Sequence, residues 1–123
     1  IPGLFLFKKD HLERSIMNDK KMTDKEYLLF LRDRQTEMRI DILKCCLTQK
    51  KTIFVYEFEI YKKLKEKYNA ENIKENEENV ILRGVLKNQI AFLTAQGKLI
   101  SGTAKYGIGY RTVIHLDEIE LVA

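Results

Sequence analysis

The sequence predicts a mainly α-helical domain closed by a small β-hairpin, with one or two extra helices ahead of the core. Three observations carry this reading. Apolar residues recur three and four positions apart in several runs up to Leu93, the spacing of helices that bury one face. After Gly97 the pattern changes to Lys98-Leu99-Ile100, a Gly-containing stretch, and Tyr110-Arg111-Thr112-Val113-Ile114-His115-Leu116, two strands joined by a turn region. The length of 123 residues, with 45% hydrophobic and 33% charged, suits one core and excludes wholesale disorder or a fibrous repeat.

The elements follow in order. Lys8 to Asn18 is charged, with Leu12, Ile16 and Met17 at helical spacing. Thr23-Asp24-Lys25-Glu26 matches a capping box, with Thr capping the helix and Glu reaching back. It opens an apolar run through Tyr27, Leu28, Phe30 and Leu31. Asp33-Arg34-Gln35-Thr36 interrupts that face before Met38, Ile42, Cys45 and Cys46 resume it, so residues 24–48 read as one helix or two. Ile53-Phe54-Val55 is a short β-prone stretch. Phe58, Tyr61, Leu64 and Tyr68 then mark the apolar face of a lysine-rich helix, which Asn69-Ala70-Glu71-Asn72 breaks.

The next helix is expected to start at Asn76 as N-cap, with Glu77 and Glu78 in the electropositive first turn. Leu82, Val85, Leu86, Ile90 and Leu93 trace its stripe, and Gly97 stands where a helix end favours a left-handed residue. Ser101 to Gly109 reads as the turn region, with Gly107-Ile108-Gly109 at a flexible tip. In the second strand Tyr110, Thr112, Ile114 and Leu116 share one face, and Arg111, Val113 and His115 the other. Helix, short strand, helix, helix and hairpin make a winged helix-turn-helix. Residues 1–123 then form a single domain, with 1–34 an N-terminal extension packing on a core of 35–123.

Catalytic chemistry finds no foothold. Phosphate-loop, nucleophile-elbow and metalloprotease motifs are all missing from the sequence. Gly107-Ile108-Gly109 lies between strands, whereas a dinucleotide loop follows a strand and opens a helix. Cys45 and Cys46 are neighbours, poorly placed for a disulfide and, with only His11 and His115 elsewhere, short of a zinc set. They read as two small apolar residues in a reducing compartment, the cytoplasm of a prokaryote or a eukaryotic nucleus. The expectation is therefore a non-catalytic protein with no metal and no cofactor. No run approaches the ~20 apolar residues of a membrane span. The sequence does not begin with Met, which makes a processed chain or a piece of a longer protein the expectation.

Charge invites a nucleic-acid partner. There are 22 basic and 18 acidic residues, a net of +4. Its distribution is uneven: residues 8–51 carry +4, 57–74 carry +1, 75–97 carry −1 and 98–123 carry zero. In a winged helix the third helix enters the major groove and the wing reaches the backbone or minor groove. The positions opposite the Leu82/Leu86/Leu93 stripe include Arg83, Lys87, Asn88 and Thr94. Arg pairs with guanine and Asn with adenine through two hydrogen bonds. The wing supplies Lys105, Tyr106, Tyr110 and Arg111, and Lys62, Lys63 and Lys67 on the preceding helix are placed to hold phosphates. The expected partner is double-stranded DNA, with a homodimer or larger complex as a further possibility. The alternative is a protein-interaction module, its interface drawn from Leu4-Phe5-Leu6-Phe7 and the wing tyrosines.

Val55 to Leu116 also resembles the C-terminal winged-helix domain of archaeal-type replication initiators of the origin-recognition family. The residues that carry this are Leu93-Thr94-Ala95-Gln96-Gly97-Lys98-Leu99-Ile100, followed by Gly107-Ile108-Gly109-Tyr110-Arg111-Thr112-Val113-Ile114-His115-Leu116. The resemblance implies duplex DNA contact through Arg83, Lys87 and a wing at Lys105 and Arg111. It sets the expected role in replication, with transcription regulation or plasmid maintenance as related settings.

Overall fold

A computed structural model describes residues 22–47, 53–70, 73–74 and 77–113. The Lys8–Asn18 helix, Asn76, Ile114, His115, Leu116 and the Leu4–Phe7 segment lie outside the described residues. Within them the chain is mainly helical, with four helices and a small three-stranded antiparallel sheet.

Helix α1 (Asp24–Asp33) begins as the sequence predicts: Thr23 Oγ1 accepts the Glu26 N–H at 3.1 Å, and Glu26 Oε1 accepts the Thr23 N–H at 2.8 Å. The chain breaks at Arg34 (φ −110°, ψ 15°) and re-enters α2 (Gln35–Cys45), so the interrupted apolar face marks two helices. The Arg34 guanidinium lies 3.8 Å from the centroid of the Phe30 ring, covering the exposed side of that corner.

Strand β1 (Val55–Tyr56) leads directly into α3 (Glu57–Tyr68). Its buried face is Ile60, Leu64 and Tyr68, while Phe58 is 51% exposed and Tyr61 is half-buried. The sequence expectation is corrected at Phe58, which lies off the core face with Ile60 in the inward position, while Tyr61 packs against the core from its edge.

Helix α4 (Val80–Ala95) starts later than expected. Its N-cap is Asn79, whose Oδ1 accepts the Leu82 N–H at 3.0 Å, and its first turn holds no acidic residue. Glu77 and Glu78 therefore precede the helix. The cause is tertiary: Asn79 is fully buried and its amide is bonded to side chains from α1 and the α3 end. The far end of α4 fulfils its prediction. Gly97 has φ +78°, Lys98 N donates to Leu93 O at 2.9 Å and Gly97 N to Thr94 O at 3.0 Å, a Schellman arrangement.

Strands β2 (Leu99–Ala104) and β3 (Gly107–Thr112) form a hairpin around Lys105-Tyr106, and β1 pairs with the outer edge of β3, giving the order β1-β3-β2. The turn is thus two residues, not the longer Ser101–Gly109 region that the glycines suggest. Gly102 and Gly109 sit opposite each other in paired strands because Phe54 lies against them. A Cβ on Gly102 would stand 2.6 Å from the Phe54 ring, and one on Gly109 2.7 Å from Phe54 Cβ.

Every helix and two strands contribute to one core, which includes Tyr27, Leu31, Met38, Ile42, Leu64, Leu86, Ile90, Leu93 and Leu99. Each such side chain contributes about 1.5–3 kcal/mol when fully buried. The Thr112 N–H donates to Cys46 O at 3.1 Å, tying the end of the hairpin to the end of α2.

Candidate nucleic-acid interface

Helix α4 presents two unlike faces. Leu82, Leu86, Ile90 and Leu93 are buried, and Arg83, Gly84, Lys87, Asn88 and Ala91 are exposed. A hydrogen-bonded hub fixes how this helix is aimed. Asn79 Nδ2 donates to Tyr27 Oη (2.8 Å) and Asn69 Oδ1 (2.6 Å), and Tyr27 Oη donates to Tyr68 O at 2.5 Å. The Asn79 N–H donates to Tyr61 Oη at 2.8 Å. Helices α1, α3 and α4 therefore meet at one buried polar knot. Burial pushes the Tyr27 phenol up to about 12, partly offset by the Asn79 bond.

On the exposed face Arg83 pairs with Glu78, and its guanidinium stands 5.7 Å from the Tyr61 ring centroid. Lys87, one turn further on, has no ion pair among the described residues. Asn88 leans toward α1, where it borders a small cleft of about 200 Å³ with Leu28, Arg32 and Gln35. Thr94 is half-buried and its hydroxyl donates to Ile90 O at 2.8 Å, inside its own helix.

The lysines of α3 separate. Lys62 lines an open groove of about 960 Å³ between α3 and the start of α4, together with Phe58, Tyr61, Lys65, Glu66, Glu77, Glu78 and Arg83. Its three cations face three carboxylates, so the groove is close to neutral. Lys63 lies toward the end of α2, near enough to Cys45 and Cys46 to oppose the rise that burial imposes on their thiols. Lys67 bridges to Glu37 and Asp41, each at 2.8 Å, and these bonds raise its pKa. Tyr68 Oη also donates to Asp41 Oδ2, at 2.5 Å. Lys67 thus joins α3 to α2.

The hairpin divides in the same way. Lys105 and Tyr106 form the tip, with Tyr106 73% exposed and the Lys105 ammonium 5.2 Å from its ring centroid. The Tyr106 N–H donates to Tyr56 Oη at 2.8 Å. Tyr110 is half-buried against the core, and desolvation raises its phenol pKa. Arg111 pairs in register with Ile100, the fifth pair from the tip, roughly 13 Å from the pair that closes the turn at about 3.3 Å per residue. It is half-buried, and its Nε has no hydrogen-bond partner among the described residues.

Contacts connect part of the predicted set. Arg83 meets Tyr61; Tyr61, Lys62 and Phe58 line one groove; Phe58 stacks on Tyr56 at 5.6 Å, and Tyr56 meets Tyr106 at 6.0 Å. Arg83, Lys62, Lys105 and Tyr106 are thereby linked across one surface, with Lys87 adjoining on α4. Lys63 and Lys67 turn instead toward α2, Asn88 toward α1, and Thr94, Tyr110 and Arg111 are half-buried. Tyr56, Phe58 and Tyr61 are the members that sequence reasoning missed. The alternation Phe54-x-Tyr56-x-Phe58 was the available signal, since period two across a strand end places rings on one face.

No family model matches the chain, and no curated protein or solved structure matches it either. Among the described residues no helix is long and apolar enough to cross a membrane, and no three His, Cys, Asp or Glu gather as a metal site.

Proposed function

We propose that the chain is a winged helix-turn-helix domain that binds double-stranded DNA without catalytic chemistry, α4 entering the major groove and the hairpin tip contacting the backbone. One observation carries this reading. The order helix, helix, strand, helix, helix, strand, strand, with the isolated strand completing a β1-β3-β2 sheet, is the order of a winged helix, and it is combined with an exposed cationic face on α4. Arg83 and Lys87 occupy that open face, and Lys105 stands at the tip. Three such cations give a modest electrostatic footprint. With about 0.9 counterion released per phosphate, affinity should fall roughly 40-fold between 50 and 200 mM salt. Fluorescence anisotropy of a labelled duplex across that range tests the reading. The natural settings are replication, transcription regulation or plasmid maintenance.

A second reading, a protein-interaction or self-association module, draws support from α1. Leu28 and Leu29 are each nearly half exposed there, and Leu28 borders the cleft beside Asn88. Sedimentation at high concentration separates it: a strictly monomeric profile removes the self-association form.

A further inference from the structure

The outer face of the sheet carries aromatic rings that the duplex reading does not use. Val55 is buried and pairs with Tyr110, so its neighbours Phe54 and Tyr56 project to the other side of β1. There Gly102 and Gly109 offer no side chain, and Phe54 lies on bare backbone. Tyr56 is held from two sides: its N–H donates to Glu59 Oε1 at 2.9 Å, and its hydroxyl accepts the Tyr106 N–H. Around this fixed ring stand two exposed ones. Phe58 stacks on it with planes 12° apart, and Tyr106 tilts against it at 54°. A hairpin tip pinned by its backbone while its aromatic side chain stays open to water is an ordered, preorganised platform.

We propose that Phe58 and Tyr106 stack an unpaired nucleotide at the edge of the bound duplex, so that the preferred ligand is DNA with a single-stranded tail or an opened base pair. This rests on the duplex reading and specifies its substrate. A nucleobase presents a flat π-face that every aromatic ring can accept, whatever the sequence. A paired base inside a duplex has no free face, which selects the unpaired state. Lys105 flanks Tyr106, placed to meet a phosphate of the strand that bears the base. Lys62, Lys65 and Arg83 in the groove beside Phe58 are balanced by Glu66, Glu77 and Glu78, so stacking rather than charge carries the preference. The groove continues from Phe58 to Arg83, so the stacking surface adjoins the helix that meets the duplex. An apolar protein partner would gain nothing from the Lys105 ammonium beside the tip ring.

The test uses the full chain with three probes: a blunt duplex, the same duplex with a short 2-aminopurine-containing tail, and the tail strand alone. The tail should tighten binding about tenfold, within the range for one stacked base, and its 2-aminopurine should be quenched. Phe58→Ala should abolish the preference, bringing tailed and blunt duplex to equal affinity, and Tyr106→Ala should abolish the quenching. Because the sequence contains no Trp, Tyr106→Trp places a single reporter at the tip; it should keep the preference and be quenched by the tailed duplex alone of the two duplexes. Equal affinity of the parent for blunt and tailed duplex overturns the proposal and leaves duplex binding standing. Survival of the preference in the Phe58→Ala/Tyr106→Ala double variant also overturns it. If only the single strand binds and quenches, the duplex reading falls and this proposal falls with it, since no duplex edge is then bound. Quenching by no probe, as a protein occupant would give, refutes the stacking.

Discussion

Replacing Asn79 with alanine should be the most damaging polar substitution in the described chain. The side chain does three things from a fully buried position. Its Oδ1 caps α4 through the Leu82 N–H, and its Nδ2 donates to Tyr27 Oη and to Asn69 Oδ1. Loss of an N-cap costs about 1 kcal/mol. Each lost internal hydrogen bond costs about 1 kcal/mol, and more where a buried partner is left unsatisfied. Tyr27 Oη keeps its bond to Tyr68 O, which limits the damage on that side. The sum is about 3 kcal/mol. For a small domain that is a large share of a total near ~5–15 kcal/mol. Urea unfolding followed by far-UV circular dichroism reads it as a lower midpoint at unchanged slope. Asn79→Ser keeps a capping oxygen and should recover about 1 kcal/mol of the loss. A midpoint shift worth under about 0.5 kcal/mol for Asn79→Ala, the scale of an ordinary surface change, would refute the hub.

The remaining predictions concern the hairpin, alkaline pH and the reading helix. Gly109→Ala puts a Cβ against Phe54 Cβ and, at 3.3 Å, against backbone atoms of Phe54 and Val55, so it should cost about 1–3 kcal/mol in urea unfolding. Gly102→Ala meets only the Phe54 ring, which can swing, and should cost visibly less. Burial raises Cys46 and Tyr27 to about 12 from ordinary values of 9.0 and 10.0. Folded values above unfolded ones mean the unfolded chain releases these protons first. Stability should therefore hold below pH 9 and decline between pH 9 and 12, and Tyr27→Phe should flatten the part above pH 10. An unfolding midpoint that stays level to pH 12 contradicts this. Glu78→Gln frees Arg83 from its carboxylate partner and should tighten duplex binding a few-fold at low salt, read by anisotropy; weaker binding counts against Arg83 as a DNA contact.

Local signals were legible in the sequence and distant ones were not. The Thr23–Glu26 box and the Gly97 helix end are set by residues within a few positions, and both formed as read. The start of α4 depends on Tyr27, 52 residues from Asn79, as well as on nearby Asn69, and no window around Asn76 contains Tyr27. The hairpin glycines resembled a turn because glycine is poor in strands. Their place within paired strands follows from Phe54, which belongs to a different part of the chain. On the surface, Arg83 and Lys87 were legible as the exposed side of an apolar stripe. The engagement of Lys67 by Glu37 and Asp41 was not, since three separate turns of helix must pack before those charges meet. Nor did alternation alone show that Arg111 lies half-buried far from the tip.

The most direct measurement is duplex affinity by fluorescence anisotropy at 50 and 200 mM salt, for the parent chain and for the Arg83→Ala/Lys87→Ala double variant. The parent should bind and lose roughly 40-fold in affinity across the range. The double variant should bind more weakly at low salt, with a slope of log affinity against log salt reduced by about two units. A parent chain that ignores the duplex at low salt, or a double variant that matches it at both salts, would show that α4 is not a DNA-reading helix.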